Sequence, residues 1–340
     1  PNLGPGEFAD VPQATSILGA AKFSGKTKKG WSIGILESVT RRENAVVDNN
    51  GERREELVEP QTNYFVGRLM KDYDAGNTII GAVFTAVNRE KGIDWLHRSA
   101  YSGGLDVQHF WKSRWWNVTG KLLFSQVAGT PEAILETQRS FEHYFQRPDA
   151  PHVELDPTRT SLTGTSGTFK LGKYGGKPDK WGGITKFEVG GTWRSPEFEV
   201  NDIGFMQTAD EINQFVWAGY HIQQPFSIFR NLRVNYNHWF RWDFSGRHTF
   251  TFYNVNAHAF FQSNWSVGTG FFLNPHDISN NALRGDSPLR RPNGYGSFAY
   301  VNSDERKKVS FNADANFFNG FGNEVKSRNI SAGIGVQVAD

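Results

Sequence analysis

Over residues 309–317 every second side chain is apolar. Val309, Phe311, Ala313, Ala315 and Phe317 alternate with Ser310, Asn312, Asp314 and Asn316. A period of two belongs to an extended strand with one apolar and one polar face. The pattern recurs in Leu232, Val234, Tyr236, His238, Phe240 and Trp242 against Arg233, Asn235, Asn237, Trp239 and Arg241. It recurs in Trp31, Ile33, Ile35 and Val39 against Ser32, Gly34, Ser38 and Thr40, and in Trp265, Val267, Phe271 and Leu273 against Ser266, Gly268 and Gly270. The last case is Ile330, Ala332, Ile334, Val336 and Val338 against Ser331, Gly333, Gly335 and Gln337. Weaker alternation predicts strands over 15–25, 62–73, 78–89, 99–111, 115–127, 159–172, 183–194, 212–223, 247–261 and 293–301. That makes about fifteen strands of roughly ten residues, the length a tilted strand needs to cross a bilayer and about twice the usual strand of a soluble sheet.

The connections divide by length. Those at 26–30, 74–77, 112–114, 262–264 and 303–306 are short; those at 43–60, 128–158, 195–211 and 274–292 are long and polar. Tight turns at one end and long loops at the other fit an outer-membrane barrel, with the long loops outside the cell. The expectation is therefore an all-β chain: an antiparallel transmembrane β-barrel of roughly 14–16 strands, with long extracellular loops and one short loop helix. Residues 1–14 read as a loop segment and 15–340 as the barrel domain, with the chain a mature form or a fragment of a longer protein. Trp111, Trp115, Trp116, Tyr73, Trp193, Trp239, Trp242, Trp265 and Tyr300 fall near strand ends and suit aromatic girdles at the two membrane interfaces. The helix is expected from Thr130 as cap and Pro131 at its first position, with Ile134, Leu135, Phe141 and Phe145 on one side and an end near Arg147 and Pro148. It either packs on the mouth or folds inward as a partial plug. Arg139, Arg147, Arg159, Asp149 and Asp156 are expected to tie this loop down by ion pairs.

Composition narrows the classes. With no Cys, a disulfide scaffold, a cysteine zinc site and a thiol nucleophile are excluded. Lys and Arg number 37 against 35 Asp and Glu, and no long basic run occurs, which argues against nucleic acid as a partner. The mean hydropathy of −0.54 and the lack of a long apolar run exclude membrane-spanning helices but not spanning strands.

If one face meets lipid, the other lines an interior. The lining candidates are Lys121, Lys186, Glu188, Arg233, Asn235, Asn237, Arg241, Asn254, Asn256, His258, Asn312, Asp314 and Asn316. Mixed signs and many amides suit a hydrated interior without strong ion selectivity; a wall of this size leaves an aqueous channel unless loops fill it. Catalytic motifs are mostly negative. The run from Gly19 to Thr27 resembles a phosphate loop, but its spacer is one residue too long and no helix follows. Gly30-Trp31-Ser32-Ile33-Gly34 matches the nucleophile-elbow pattern without the strand-to-helix turn that exposes the serine. The acidic loop at 195–205 carries Glu197, Glu199, Asn201 and Asp202, oxygen donors dense enough to hold Ca²⁺; no other cofactor is expected. As general acid and base, the same carboxylates would make a surface enzyme. A soluble carbohydrate-binding β protein using exposed Trp is the remaining reading.

Seven stretches together carry a resemblance: ILGAAKFSGKTKKGWSIGILESVT (17–40), TNYFVGRL (62–69), SAYSGGLD (99–106), TPEAILETQRSFEHYFQRPD (130–149), LDPTRTSLTG (155–164), SPEFEVNDIGF (195–205) and NSDERKK (302–308). The chain resembles the outer-membrane β-barrel region of a bacterial family of unknown function whose members usually carry an N-terminal domain similar to family 9 carbohydrate-binding modules. The resemblance implies a Gram-negative outer-membrane location, with lipid as a partner, and names no reaction. It points to passage, binding or surface display of an extracellular solute, glycan-derived in one version. That N-terminal domain, or a partner subunit in its place, is not in this sequence. The chain also ends Gln337-Val338-Ala339-Asp340, without the terminal aromatic usual for barrel insertion.

Overall fold

The computed structural model describes residues 3–49, 51–322 and 325–337. In chain order the strands are β1 (Phe8–Asp10), β2 (Ile17–Lys26), β3 (Trp31–Thr40), β4 (Glu43–Asn49), β5 (Glu52–Glu59), β6 (Thr62–Tyr73) and β7 (Thr78–Arg89). Next come β8 (Ser99–Trp111), β9 (Trp116–Ala128), the helix α1 (Pro131–Arg139), β10 (Ser161–Lys173), β11 (Gly183–Arg194) and β12 (Glu211–Ile222). The rest are β13 (Phe229–Trp242), β14 (His248–Phe261), β15 (Ser266–Ser279), β16 (Leu289–Arg290), β17 (Gly294–Asn302), β18 (Val309–Gly320) and β19 (Lys326–Val336). The protein is all-β, built on one sixteen-stranded antiparallel sheet and a three-stranded sheet of β1, β4 and β5. In the large sheet β16 pairs only with β15; the remaining fifteen strands form one path from β2 to β19 in chain order, with the β4–β5 hairpin inserted between β3 and β6 and β16 between β15 and β17.

Directly opposed residues in an antiparallel pair lie on the same face, so the register fixes the two faces of the wall. One row runs Ile33, Leu69, Ala82, Leu105, Leu122, Gly167, Trp193 and Ile212 across eight strands. On this face large apolar side chains stand open: Leu105 is 63% exposed, Phe124 52%, Phe169 53% and Phe271 51%. The opposite rows are polar. One passes from Lys121 through Thr168, Thr192 and Asn213 to Arg241. Another passes from Lys186 through Gly219, Asn235, Asn256, Gly270 and Phe298 to Asn316. Glu188, Asn237 and Asn254 share a third row, and Arg233, His258 and Asp314 a fourth. Asn312 opposes Asn302 two residues from Asp314. The sequence-derived lining residues thus share one face.

Several expectations are corrected. Residues 1–14 are not all loop: Phe8–Asp10 forms β1 and pairs with β4. Residues 43–60 are a hairpin, β4 and β5, whose charged outer edge is fastened by Arg54 to Glu7 and Arg53 to Asp48. The helix begins as expected, with the Thr130 hydroxyl accepting from Ala133 N at 3.2 Å, but it ends at Arg139. Ser140 turns extended there, the chain reverses so that Phe145 N donates to Gln138 O, and Phe141 and Phe145 leave the helical side. Trp239 and Tyr300 are not girdle residues, since their register places them on the polar face. No closed ring forms among the described residues: β2 and β19 end the path unpaired with each other. Fifteen strands alternating in direction leave β2 and β19 running the same way, so a contact between them would be a parallel pair and not a continuation of the antiparallel pattern. Val338, Ala339 and Asp340 lie outside the described residues, as do Pro1 and Asn2.

Candidate functional site

The polar face is not open along its whole length. Val87, Ala100, Val127 and Leu162 sit on that face at the long-loop ends of β7, β8, β9 and β10, and they form a core with Ile134, Phe145, Ala150 and Val153 of the 129–160 segment. Ile134 and Val87 are fully buried. Burying side chains of this size contributes about 1.5–3 kcal/mol each. The 195–210 segment folds over the same face, packing Phe198, Met206 and Ala209 on Leu123. Its approach depends on Gly164: a Cβ there would lie 2.2 Å from Phe198 N and 2.3 Å from Phe198 Cα. The two long loops are thus a pad laid on the inside of the wall.

Charged side chains fasten the pad. Asp202, near the tip of the second loop, accepts from Arg89 Nη1 at 2.5 Å and pairs with His97 Nδ1 at 2.7 Å. His97 Nε2 meets the Thr137 hydroxyl of α1 at 2.6 Å, so one triad joins the wall, the helix and the second loop. Burial pushes the Asp202 carboxyl up, but the hydrogen bonds and charges of His97 and Arg89 outweigh it and hold the group below its ordinary range. Glu199 is 5% exposed and faces His143 Nε2 at 2.9 Å, while His143 Nδ1 faces the Pro196 carbonyl at 2.7 Å. A carbonyl only accepts, so Nδ1 carries hydrogen and Nε2 is the atom turned to Glu199. Glu199 N donates to Ser125 Oγ of the wall at 3.0 Å. Asp210 takes Arg147 Nη2 at 2.7 Å and His152 Nε2 at 2.8 Å, and accepts from Phe244 N. Glu211 bridges Arg194 and Arg241 of the wall, and Arg247 joins Asp149 to Asp243.

The acidic loop is therefore engaged piece by piece. Glu197 pairs with Arg159, Glu199 with His143, and Asp202 with Arg89 and His97; the Asn201 carbonyl accepts from Met206 N. The four oxygen donors expected for Ca²⁺ point to four different partners. Among the described residues no group of three or more His, Cys, Asp or Glu is placed to hold a metal ion. Of the loop-tying residues, Arg147 and Asp149 reach the wall or its ends, Arg159 reaches Glu197, and Asp156 caps its own turn at Thr158. Arg89, His97, His143 and Asp210 went unnoticed in the sequence, because their partners lie as far as 113 residues away.

A cleft of about 230 Å³ opens between the pad and the wall, where His143, Arg147, Asp210, Glu211, Arg241 and Asn281 meet. Its charges balance and its donors and acceptors surround a space the size of a small polar solute. Farther along the wall Lys121 stands opposite Asp106, which pairs with Arg68 at 2.5 Å, and Gly81 leaves the room this pair fills.

The fold and this site define a class: a long sequential antiparallel wall with one apolar and one polar face, whose own long loops cover part of the polar face. The chain belongs to the family described as a domain of unknown function (DUF5916), whose model matches residues 4–340. No curated protein matches it.

Proposed function

We propose that this chain is the wall of a bacterial outer-membrane β-barrel that binds or passes an extracellular solute, with the two infolded loops as a partial plug. The observation that carries the reading is the apolar face. Leu105, Phe124, Phe169, Phe271 and Ile330 are more than half exposed on strands of up to fourteen residues, while the opposite face holds charges and amides. Monomeric soluble proteins rarely expose contiguous apolar patches beyond a few hundred Å², and hydrocarbon is the solvent in which such a face is stable. Outward aromatics near the tight-turn ends suit an interface: Trp111 stacks on Trp116, and Lys71 lies over Trp31 and Tyr73. Lipid also demands that the backbone edges of β2 and β19 be paired, because an unpaired amide in hydrocarbon costs several kcal/mol.

The test is reconstitution. Refolded into vesicles of brominated lipid, the protein should lose much of its tryptophan fluorescence, and on gels it should migrate faster unheated than boiled. Monodisperse behaviour in detergent-free buffer with unquenched tryptophans would sink the proposal.

A further inference from the structure

The pad covers the inner face of β7–β10 and leaves that of β13–β18 open, and the open half has a composition of its own. Trp239, Phe252, Phe272 and Phe318 form a row of rings across the polar face, with centroid separations of 5.7, 5.7 and 6.3 Å. Between Phe272 and Phe318 the intervening strand β17 places Gly296, where a Cβ would lie 2.3 Å from the Phe272 ring. Gly270 serves Phe298 in the same way, with a Cβ at 2.4 Å from its ring, and Gly268 serves Tyr300 at 2.2 Å. The glycines leave room for the Phe272, Phe298 and Tyr300 rings over the strand backbone, and Phe252, Phe272 and Phe318 lie nearly parallel, at 19° and 9°, with Trp239 tilted by 54° from Phe252.

Beside the rings runs an amide ladder. Asn237 Nδ2 donates to Asn254 Oδ1 at 3.1 Å, and Asn235 Nδ2 to Asn256 Oδ1 at 2.8 Å. Each carboxamide carries two N–H donors and these bonds use one, so donors are left over for a ligand. The rings and the four carboxamides are themselves uncharged; on the same face Arg233 and Arg241 flank them along β13, Lys186 and Glu188 continue the two amide rows on β11, and Asp314 lies at the Arg233 end. Arg241, two residues beyond Trp239, also lines the cleft beside the pad, so the cleft opens onto the row.

Flat aromatic faces next to spare amide donors match one ligand chemistry: a ring with an apolar C–H face and a rim of hydroxyl groups, carrying no charge. We infer that the open half of the inner face is a binding track for a neutral oligosaccharide, entered from the cleft at Arg147 and Arg241. This rests on the reading of the polar face as an enclosed, hydrated interior, and it adds the ligand class and the residues that hold it.

The experiment is isothermal titration of the detergent-solubilised full chain with uncharged hexasaccharides (maltohexaose, cellohexaose, xylohexaose), using a nucleoside and a charged disaccharide as competitors. At least one hexasaccharide should bind saturably. The Trp239→Ala, Phe272→Ala double variant should weaken it roughly tenfold, from two stacking faces. Asn237→Asp with Asn254→Asp should weaken it as well, by placing charge on the ladder, while leaving the rings intact. Phe272→Leu, which keeps apolar volume and removes one flat face, controls for folding and should weaken binding about threefold while keeping strand content and heat-shifted gel mobility. No binding by any hexasaccharide, affinity unmoved by the ring variants, or preference for the nucleoside or the charged sugar overturns the inference. Because the titration needs no bilayer, failure of vesicle insertion tests the membrane proposal separately.

Discussion

Asp202→Ala is the substitution that most directly tests how the infolded loops are held. The carboxylate sits between Arg89 and His97, and the side chains of the three are 8%, 10% and 13% exposed. Its removal strands the Arg89 guanidinium in the wall, where Nε already lacks a partner. Breaking a buried pair from one side costs about 3–5 kcal/mol. Arg89 keeps its bond to His97 O at 2.9 Å, which places the effect at the low end, about 3 kcal/mol. If that energy falls on release of the 195–210 loop, its opening equilibrium rises roughly 150-fold. Native-state hydrogen exchange reads this directly. Phe198 N and Gly204 N, bonded to Ser195 O and Val200 O, should exchange faster by that factor, while amides in the middle of β7 and β8 stay protected. Replacing both partners, Arg89→Leu with Asp202→Leu, should restore most of the protection, since an apolar pair leaves no buried charge behind. Unchanged loop exchange in the single variant, or equal loss of protection in the strands, would show that the triad is not what holds the loop.

The same carboxylate gives a pH dependence with a definite sign. Asp202 is held below its ordinary value, so its contribution is fully present above pH about 4 and is lost as pH falls below that. Exchange of the loop amides at fixed intrinsic rate should therefore rise as pH falls below about 4 and the Asp202 carboxylate takes up its proton. Gly164→Val should displace the second loop, because the added Cβ would meet backbone atoms of Phe198 at 2.2 and 2.3 Å, which cannot swing away as a side-chain tip could. Limited proteolysis within 195–210 checks it: cleavage should accelerate in the variant, and a wild-type rate would show that the loop does not depend on that close approach.

The strands were legible because a half-buried sheet writes its period into each segment on its own. The alternation in 62–73 and 78–89 needs no knowledge of any partner strand, and both appear with those bounds. The short turns were legible for the same local reason. The hairpin β4–β5 was hidden because 43–60 is dense in Glu and Arg: β5 is mostly exposed and charged, and the buried pair Ala45 and Val47 of β4 is too short an alternation to stand out. The end of α1 was misplaced because Phe141 and Phe145 continue the helical spacing by coincidence: Phe145 is buried by the chain folding back on Gln138, not by a helical turn. The polar residues share a face because face membership follows from odd and even position within each strand. What they meet was not readable. Ser125 receiving Glu199 N, or Arg89 receiving Asp202, joins chain segments 74 and 113 residues apart, and the sequence marks no such pair.

The strictly sequential order of the wall also shapes how the molecule assembles. The long path follows chain order, stepping over only the β4–β5 hairpin and β16, so most closures span only a few residues and hairpins can zip up one after another. The step from β9 to β10 is different, because the 129–160 segment intervenes. A loop that long adds only a modest entropic penalty by itself. Yet Ile134 and Phe145 find their apolar surroundings only after Val87, Val127 and Leu162 have been brought side by side. The scaffold therefore has to precede its own filling: the loops settle onto a sheet that already exists.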